Sequence, residues 1–265
     1  MAQMTSINRI DKLFAGESTN LLSVYFTAGF PSADDTLTIA RALDEAGADI
    51  IEIGMPFSDP IADGPTIQES NNAALKNGMT IKRLFDQLER LRDNVKVPVI
   101  LMGYINPVLQ FGIDAFCKKC QETGIDGLIL PDLPMAEYLM HYKDKFESYG
   151  LKNVFLITPQ TSEERIREID RNSDGFIYMV SSASTTGAKK SIGNEQLEYF
   201  GRISEMNLKN PTLVGFGISS HETFSTACRY SNGAIIGSAF IKILQKEGAS
   251  AEAITRFIKD IKNSN

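Results

Sequence analysis

The sequence predicts an α/β fold, a (β/α)8 TIM barrel with a short extra N-terminal helix. Three observations carry that prediction. Eight short apolar runs rich in Val, Ile and Leu recur along the 265 residues. They read as continuous apolar stretches, as expected for parallel strands covered on both faces, and not as the alternation of a half-solvated sheet. Amphipathic stretches of helical period separate them, so strand and helix alternate in one chain of barrel length. A doubly wound open sheet is the alternative. It usually has fewer strands and a glycine-rich first turn, and no G-x-G-x-x-G follows the first run here.

In order, the expected strands are residues 22–27, 50–54, 99–103, 127–130, 154–158, 175–180, 212–215 and 234–237. Between the first two, residues 34–46 place Leu37, Ile39, Ala40, Leu43 and Ala46 along one side of a helix. Residues 81–91 repeat the pattern with Ile81, Leu84, Leu88 and Leu91. Helices are expected to stop at Gly47, Gly124 and Gly150, where glycine tolerates the left-handed conformation after a last turn. Residues 7–15 lie outside the count of eight and suit a helix across the barrel bottom. Two connections are unusually long, about 55–80 and 181–194. Both follow strand C-termini, the catalytic face of such a barrel. No internal boundary interrupts the pattern, so residues 1–265 are expected to form one domain.

Composition narrows the function. A hydrophobic content of 43% supports a sizeable core, and the net charge of −6 argues against general binding to nucleic acid or anionic membranes. The start, Met-Ala-Gln-Met-Thr-Ser-Ile-Asn-Arg, shows no signal-peptide pattern, and no apolar run is long enough to cross a bilayer. A cytoplasmic enzyme is expected. Cys117 and Cys120 form a C-x-x-C inside an expected helix and away from its start. A structural role on one helical face is therefore expected over a redox or zinc site. His141, in an amphipathic helix expected over residues 135–148, and His221 lie in no metal-ligand spacing and are expected to be surface or structural residues.

The chemistry concentrates in Ile51-Glu-Ile-Gly-Met-Pro-Phe-Ser-Asp-Pro-Ile-Ala-Asp-Gly-Pro-Thr-Ile-Gln68. Glu52 interrupts an apolar strand, where a charge is costly unless it is used or paired. Burial would raise its pKa towards neutrality and equip it to shuttle a proton. A structural Glu paired to a cation is the alternative. Asp63 offers a second carboxylate from a turn sequence, although Asp63 and Asp59 alone read equally well as Asx turns. Val214-Gly-Phe-Gly-Ile-Ser-Ser220 and Ile236-Gly-Ser-Ala239 end the seventh and eighth strands and open helices. Barrels of this type often bind phosphate in these places, through backbone N–H groups and a helix N-terminus. Tyr25, Tyr178 and Phe216 lie near strand ends where a ring could meet a substrate. Met102, Ile129 and Leu156 read as ordinary barrel core.

The stretch 51–68 closely resembles the signature of the tryptophan synthase α subunit, and the similarity runs from about Leu13 to Ile258. The resemblance implies a lyase of L-tryptophan biosynthesis. It would cleave indole-3-glycerol phosphate to indole and D-glyceraldehyde 3-phosphate by retro-aldol acid/base catalysis. Glu52 and Asp63 match the two catalytic carboxylates. Gly187, Gly217, Gly237 and Ser238 match phosphate-contacting positions. Tyr25, Met102, Ile129, Leu156, Tyr178 and Phe216 match positions around the indole ring, and Thr186 matches the loop threonine expected to join Asp63 on closure. Asp59, Pro60, Tyr104, Asn106 and Asp132 match positions at or near the contact with a β subunit. The resemblance further implies no cofactor and no metal in this chain, pyridoxal phosphate in the partner β subunit, and an α2β2 heterotetramer in the cytoplasm. Ser184 stands where many members carry glycine. Two rival readings are another phosphate-binding barrel isomerase and a non-catalytic subunit that only activates its partner.

Overall fold

The computed structural model describes residues 7–16, 18–60, 63–181 and 192–263. Eight parallel strands close in sequential order into a barrel. They are β1 (Leu21–Thr27), β2 (Ile50–Gly54), β3 (Val99–Met102), β4 (Gly127–Ile129), β5 (Lys152–Ile157), β6 (Ile177–Val180), β7 (Thr212–Gly215) and β8 (Gly233–Ile236). All eight expected strands are present; β2 and β7 keep the expected bounds, and each of the others has an end moved by one or two residues. The helices are α1 (Arg9–Leu13), α2 (Thr36–Ala46), α3 (Pro65–Lys76), α4 (Ile81–Leu88), α5 (Ile105–Phe111), α6 (Ile113–Thr123), α7 (Met135–Glu137), α8 (Lys143–Ser148), α9 (Glu163–Asn172), α10 (Asn194–Glu205), α11 (His221–Cys228), α12 (Ser238–Glu247) and α13 (Ala251–Lys262).

The core has two layers. The outer one packs strand residues such as Val24, Phe26, Ile51 and Leu101 against the helix ring. The inner one fills the barrel with Leu21, Ile50, Ile100, Ile129, Val154, Phe176, Leu213 and Ile235. Ile10 of α1 joins this inner layer from below, as a capping helix should. Glycine makes room for it: a Cβ at Gly127 would lie 3.1 Å from Ile10 Cδ1. Asn8 Nδ2 ties the same segment to the carbonyls of Asp126 and Gly150, both at 2.8 Å.

Two expectations change. The connection after β2 is mostly the helix α3, entered by Pro65 as its first residue and burying Ile67, Ser70, Asn71 and Ala74. Its buried face is half polar, so apolar periodicity does not reveal it. The helix expected over residues 135–148 contains a π-helical stretch, Tyr138–Tyr142, between α7 and α8. Gly47 and Gly124 are left-handed C-caps, at φ 94° and 77°.

Candidate active site

The inward face of β1 carries Ser23, Tyr25 and Thr27 at alternate positions, and Tyr25 pairs in register with Glu52. Glu52 is fully buried. Its Oε1 accepts a 2.6 Å hydrogen bond from Ser23 Oγ, and its Oε2 has no partner among the described residues. Burial pushes its carboxyl up to about 7, and the Ser23 bond opposes that rise. Asp63 is half-buried at the entrance to α3, where Gln68 Nε2 holds its carbonyl at 2.8 Å. Burial pushes its carboxyl up to about 6.

Above the inner core lies a cavity of about 1270 Å³ at the C-terminal ends of the strands. Tyr25, Met102, Tyr178 and Phe216 border it, together with Asp63, Gly217, Gly237 and Ser238. Ile129 and Leu156 do not. Ile129 is fully buried in the inner layer, and Leu156 packs half-buried against that layer. Glu52 lies beneath the cavity and acts electrostatically on two of its walls. After burial, the Tyr178 phenol is pushed up chiefly by Glu52 and then Asp63, and the Tyr25 phenol by Asp63 and then Glu52.

Two glycines that sequence reasoning did not single out set the positions of these rings. A Cβ at Gly54 would lie 2.2 Å from the Tyr25 hydroxyl, and one at Gly215 would lie 2.2 Å from the Tyr178 hydroxyl. Each strand thus ends in a notch that receives a phenol. A glycine closing an apolar strand is the signal that could have shown this.

Four helix N-termini border the cavity, those of α3, α10, α11 and α12, and the two that follow β7 and β8 differ. That of α11 is closed by Ser220, whose Oγ accepts from Thr223 N. That of α12 starts at Gly237–Ser238 with no side-chain cap, so its first N–H groups are available to an anion. Beside it, Phe216 and Gly217 take φ of 67° and 78° in succession. Phe216 pays a steric cost for that conformation. Ser181 Oγ donates to its carbonyl, and Gln196 Nε2 donates to Ser181 Oγ at 3.3 Å. Neither Ser181 nor Gln196 stood out in the sequence, because an isolated polar residue carries no pattern. Gly187, Thr186 and Ser184 lie outside the described residues.

The residues expected to meet a partner lie on the connections after β2, β3 and β4. Asp59 and Asn106 are exposed; Pro60 is buried and therefore does not present its ring outward. Tyr104 stacks on Phe57 with ring centroids 4.8 Å apart. Asp132 is exposed and accepts from Ile105 N at 3.0 Å. The segments after β3 and β4 also expose Leu109, Leu139 and Met140.

Cys117 and Cys120 are free and buried in α6, where burial pushes the Cys117 thiol up to about 11. His141 is exposed near Glu137, and His221 opens α11 with Nδ1 donating to the Ile261 carbonyl at 2.9 Å. No described helix is long and apolar enough to cross a membrane.

Comparison with known proteins adds the family. The family model described as tryptophan synthase alpha chain matches residues 12–264. The tryptophan synthase alpha chain of Flavobacterium psychrophilum is 59% identical over 255 residues, covering 96% of this chain and 100% of that one. The crystal structure of the Legionella pneumophila tryptophan synthase alpha chain superposes with a TM-score of 0.84 at 32% identity, covering 97% of each chain. A mutant tryptophan synthase α-subunit from Pyrococcus furiosus gives 0.83 at 35% identity over 92% of this chain and 98% of that one. With a closed eight-strand barrel, Asp63 on its cavity, Glu52 beneath it and relatives of this identity, the chain belongs to the tryptophan synthase α chain family.

Proposed function

We propose that this chain is the lyase subunit that cleaves indole-3-glycerol phosphate to indole and D-glyceraldehyde 3-phosphate in tryptophan biosynthesis, with Glu52 and Asp63 dividing the work. One observation carries the reading. A fully buried carboxyl, pushed up to about 7 and with one oxygen unpartnered, shares its surroundings with a second carboxyl pushed up to about 6. Two such groups suit one proton donor and one anion.

The roles follow from the bonds. Protonated Glu52 gives its proton to C3 of the indole ring, and positive charge appears on the ring nitrogen. Ionised Asp63 at the cavity wall stabilises that charge. The Glu52 carboxylate then takes the proton of the glycerol hydroxyl, the C–C bond breaks to release the aldehyde, and its electron pair restores the indole. To reach the substrate, Glu52 must leave Ser23, because it lies beneath the cavity in its present position. The open N-terminus of α12, with Gly217, Gly237 and Ser238, receives the phosphate. Tyr25, Met102, Tyr178 and Phe216 enclose the ring.

Activity therefore requires Asp63 ionised and Glu52 protonated. It falls below about pH 6 and again above about pH 7. A β subunit docks on the connections after β2, β3 and β4, through Asp59, Tyr104, Asn106 and Asp132. The exposed Leu109, Leu139 and Met140 support that surface. We place pyridoxal phosphate in that partner, an α2β2 assembly in the cytoplasm, and this whole chain in one barrel domain.

The test is indole release from indole-3-glycerol phosphate with saturating β subunit. Asp63→Asn is expected to lower kcat by about 10²–10³ while KM changes little. Retained kcat with a large rise in KM would make Asp63 a binding residue instead.

A further inference from the structure

The hydroxyl of Tyr25 has a proton that the resting structure barely uses. Ser70 Oγ donates to the carbonyl of Ile67 at 2.8 Å. With that proton committed, the 2.7 Å contact between Thr27 Oγ1 and Ser70 Oγ must have Thr27 as donor. Thr27 then offers Tyr25 only an acceptor, so in their contact the phenol donates, across 3.4 Å. A hydrogen bond of that length is weak. The ring itself is fixed. Its hydroxyl fills the notch above Gly54, and its Cδ1 lies 3.3 Å from where a Cβ on Gly237 would stand. The phenol therefore spans the cavity floor between the β2 end and the phosphate end.

Glu52 from β2, Asp63 from the entrance to α3, and Tyr104 from the end of β3 all act on this phenol, and Asp63 acts more strongly than Glu52. Tyr178 of β6 faces the same two carboxylates. Glu195, His221, Lys242 and Asp260 border the outer part of the cavity. Tyr25 is thus a neutral, weakly engaged donor on the cavity that it shares with Asp63, the carboxylate that has to remain charged.

We propose that the Tyr25 hydroxyl is a positioning residue for this reaction, turning its proton from Thr27 to the Asp63 carboxylate when substrate fills the cavity and holding that carboxylate ionised against the ring nitrogen. This rests on the role given to Asp63 above. A bound indole strips water from Asp63, and a donor to the charged form offsets that loss. A bond to Glu52 instead would favour its ionised form and oppose its work as an acid.

The experiment is the pH profile of kcat for Tyr25→Phe, Thr27→Val and the native chain, each with saturating β subunit. Tyr25→Phe keeps the ring and removes only the proton. The expected result is an acidic limb moved up by about one pH unit. Activity at pH 6 should fall about fivefold, KM should stay within about twofold, and the loss should narrow towards pH 8. Thr27→Val removes the resting acceptor and should leave the acidic limb in place or move it down. Superimposable profiles for Tyr25→Phe, a shift confined to the alkaline limb, or the same upward shift in Thr27→Val would each overturn the proposal. If Asp63→Asn is inactive while Tyr25→Phe matches the native profile, only the Tyr25 role fails. If Asp63→Asn is fully active, the catalytic reading fails with it.

Discussion

The two ends of this barrel each bury a carboxylate, and they treat it in opposite ways. At the bottom, Asp126 is 3% exposed. Its Oδ1 accepts from Arg9 Nη1 at 3.1 Å, and its Oδ2 accepts from Arg92 Nη2 at 2.5 Å and from Val99 N at 2.8 Å. Every lone pair that matters has a donor, and two are cations. At the top, Glu52 is 0% exposed and has one hydroxyl for company. Burial alone therefore does not make a carboxylate functional. What separates the two is satisfaction. The saturated carboxylate ties α1 to the barrel through Arg9, whereas the under-satisfied one keeps a proton near neutral pH and can give it away. This agrees with the general division of such barrels into a stabilising bottom and a catalytic top.

The largest effect expected from this contrast is a double dissociation. Glu52→Gln should cut kcat for indole release by at least about 10³, because an amide keeps the shape but cannot transfer the proton. Its urea midpoint at pH 7 should not fall. Asp126→Ala should do the reverse. It strands the Arg92 guanidinium and removes a tie to α1, which should cost about 3 kcal/mol in urea unfolding. The folded fraction should remain active. A stable, inactive Asp126→Ala protein would erase the distinction between the two ends.

A smaller effect concerns pH. The Glu52 carboxyl goes from an ordinary 4.5 when unfolded to about 7 when folded, so the folded state binds the proton more tightly. Its contribution to stability is full below about 4.5 and is lost as the pH rises through 7, on the order of 3 kcal/mol in all. Glu52→Gln should therefore gain on the native chain between pH 5 and pH 8 in unfolding experiments. A constant difference across that range would show that Glu52 titrates normally.

The smallest effect sharpens the role of Ser23, the single donor to Glu52 among the described residues. Its bond lowers the Glu52 pKa in the free enzyme, so Ser23→Ala should move the alkaline limb of the kcat/KM profile upward by about half a unit. An unmoved limb would mean that the Ser23 bond does not set the Glu52 pKa.

Much of this architecture was legible in the residues. Strands buried on both faces must be apolar throughout, so β2 and β7 could be bounded at the residue where each begins and ends. Glu52 stood out for the same reason, as a charge in a run that tolerates none. The helix α3 was not legible, because its buried face contains Ser70 and Asn71, which disturb the apolar period. Nor was the burial of Pro60, which depends on how the chain between β2 and α3 folds back. Ile129 and Leu156 read from their residues as barrel core, whereas the resemblance put them around the ring, and the structure seats them in or against the inner core.

The sequence by itself determined the alternation of strand and helix, the carboxylate in β2 and the glycine-rich ends of β7 and β8. Each is a local consequence of backbone geometry or of the cost of placing a charge among apolar residues. Tertiary structure alone decided which acid would be saturated and which left wanting. Arg9, Arg92 and Val99 reach Asp126 from separate parts of the chain, and Ser23 reaches Glu52 from the neighbouring strand. It also decided that Gly54 and Gly215 would each face a phenol from the neighbouring strand. Side chains far apart in sequence meet only when the barrel closes, and a proton's affinity for its carboxylate depends on those meetings.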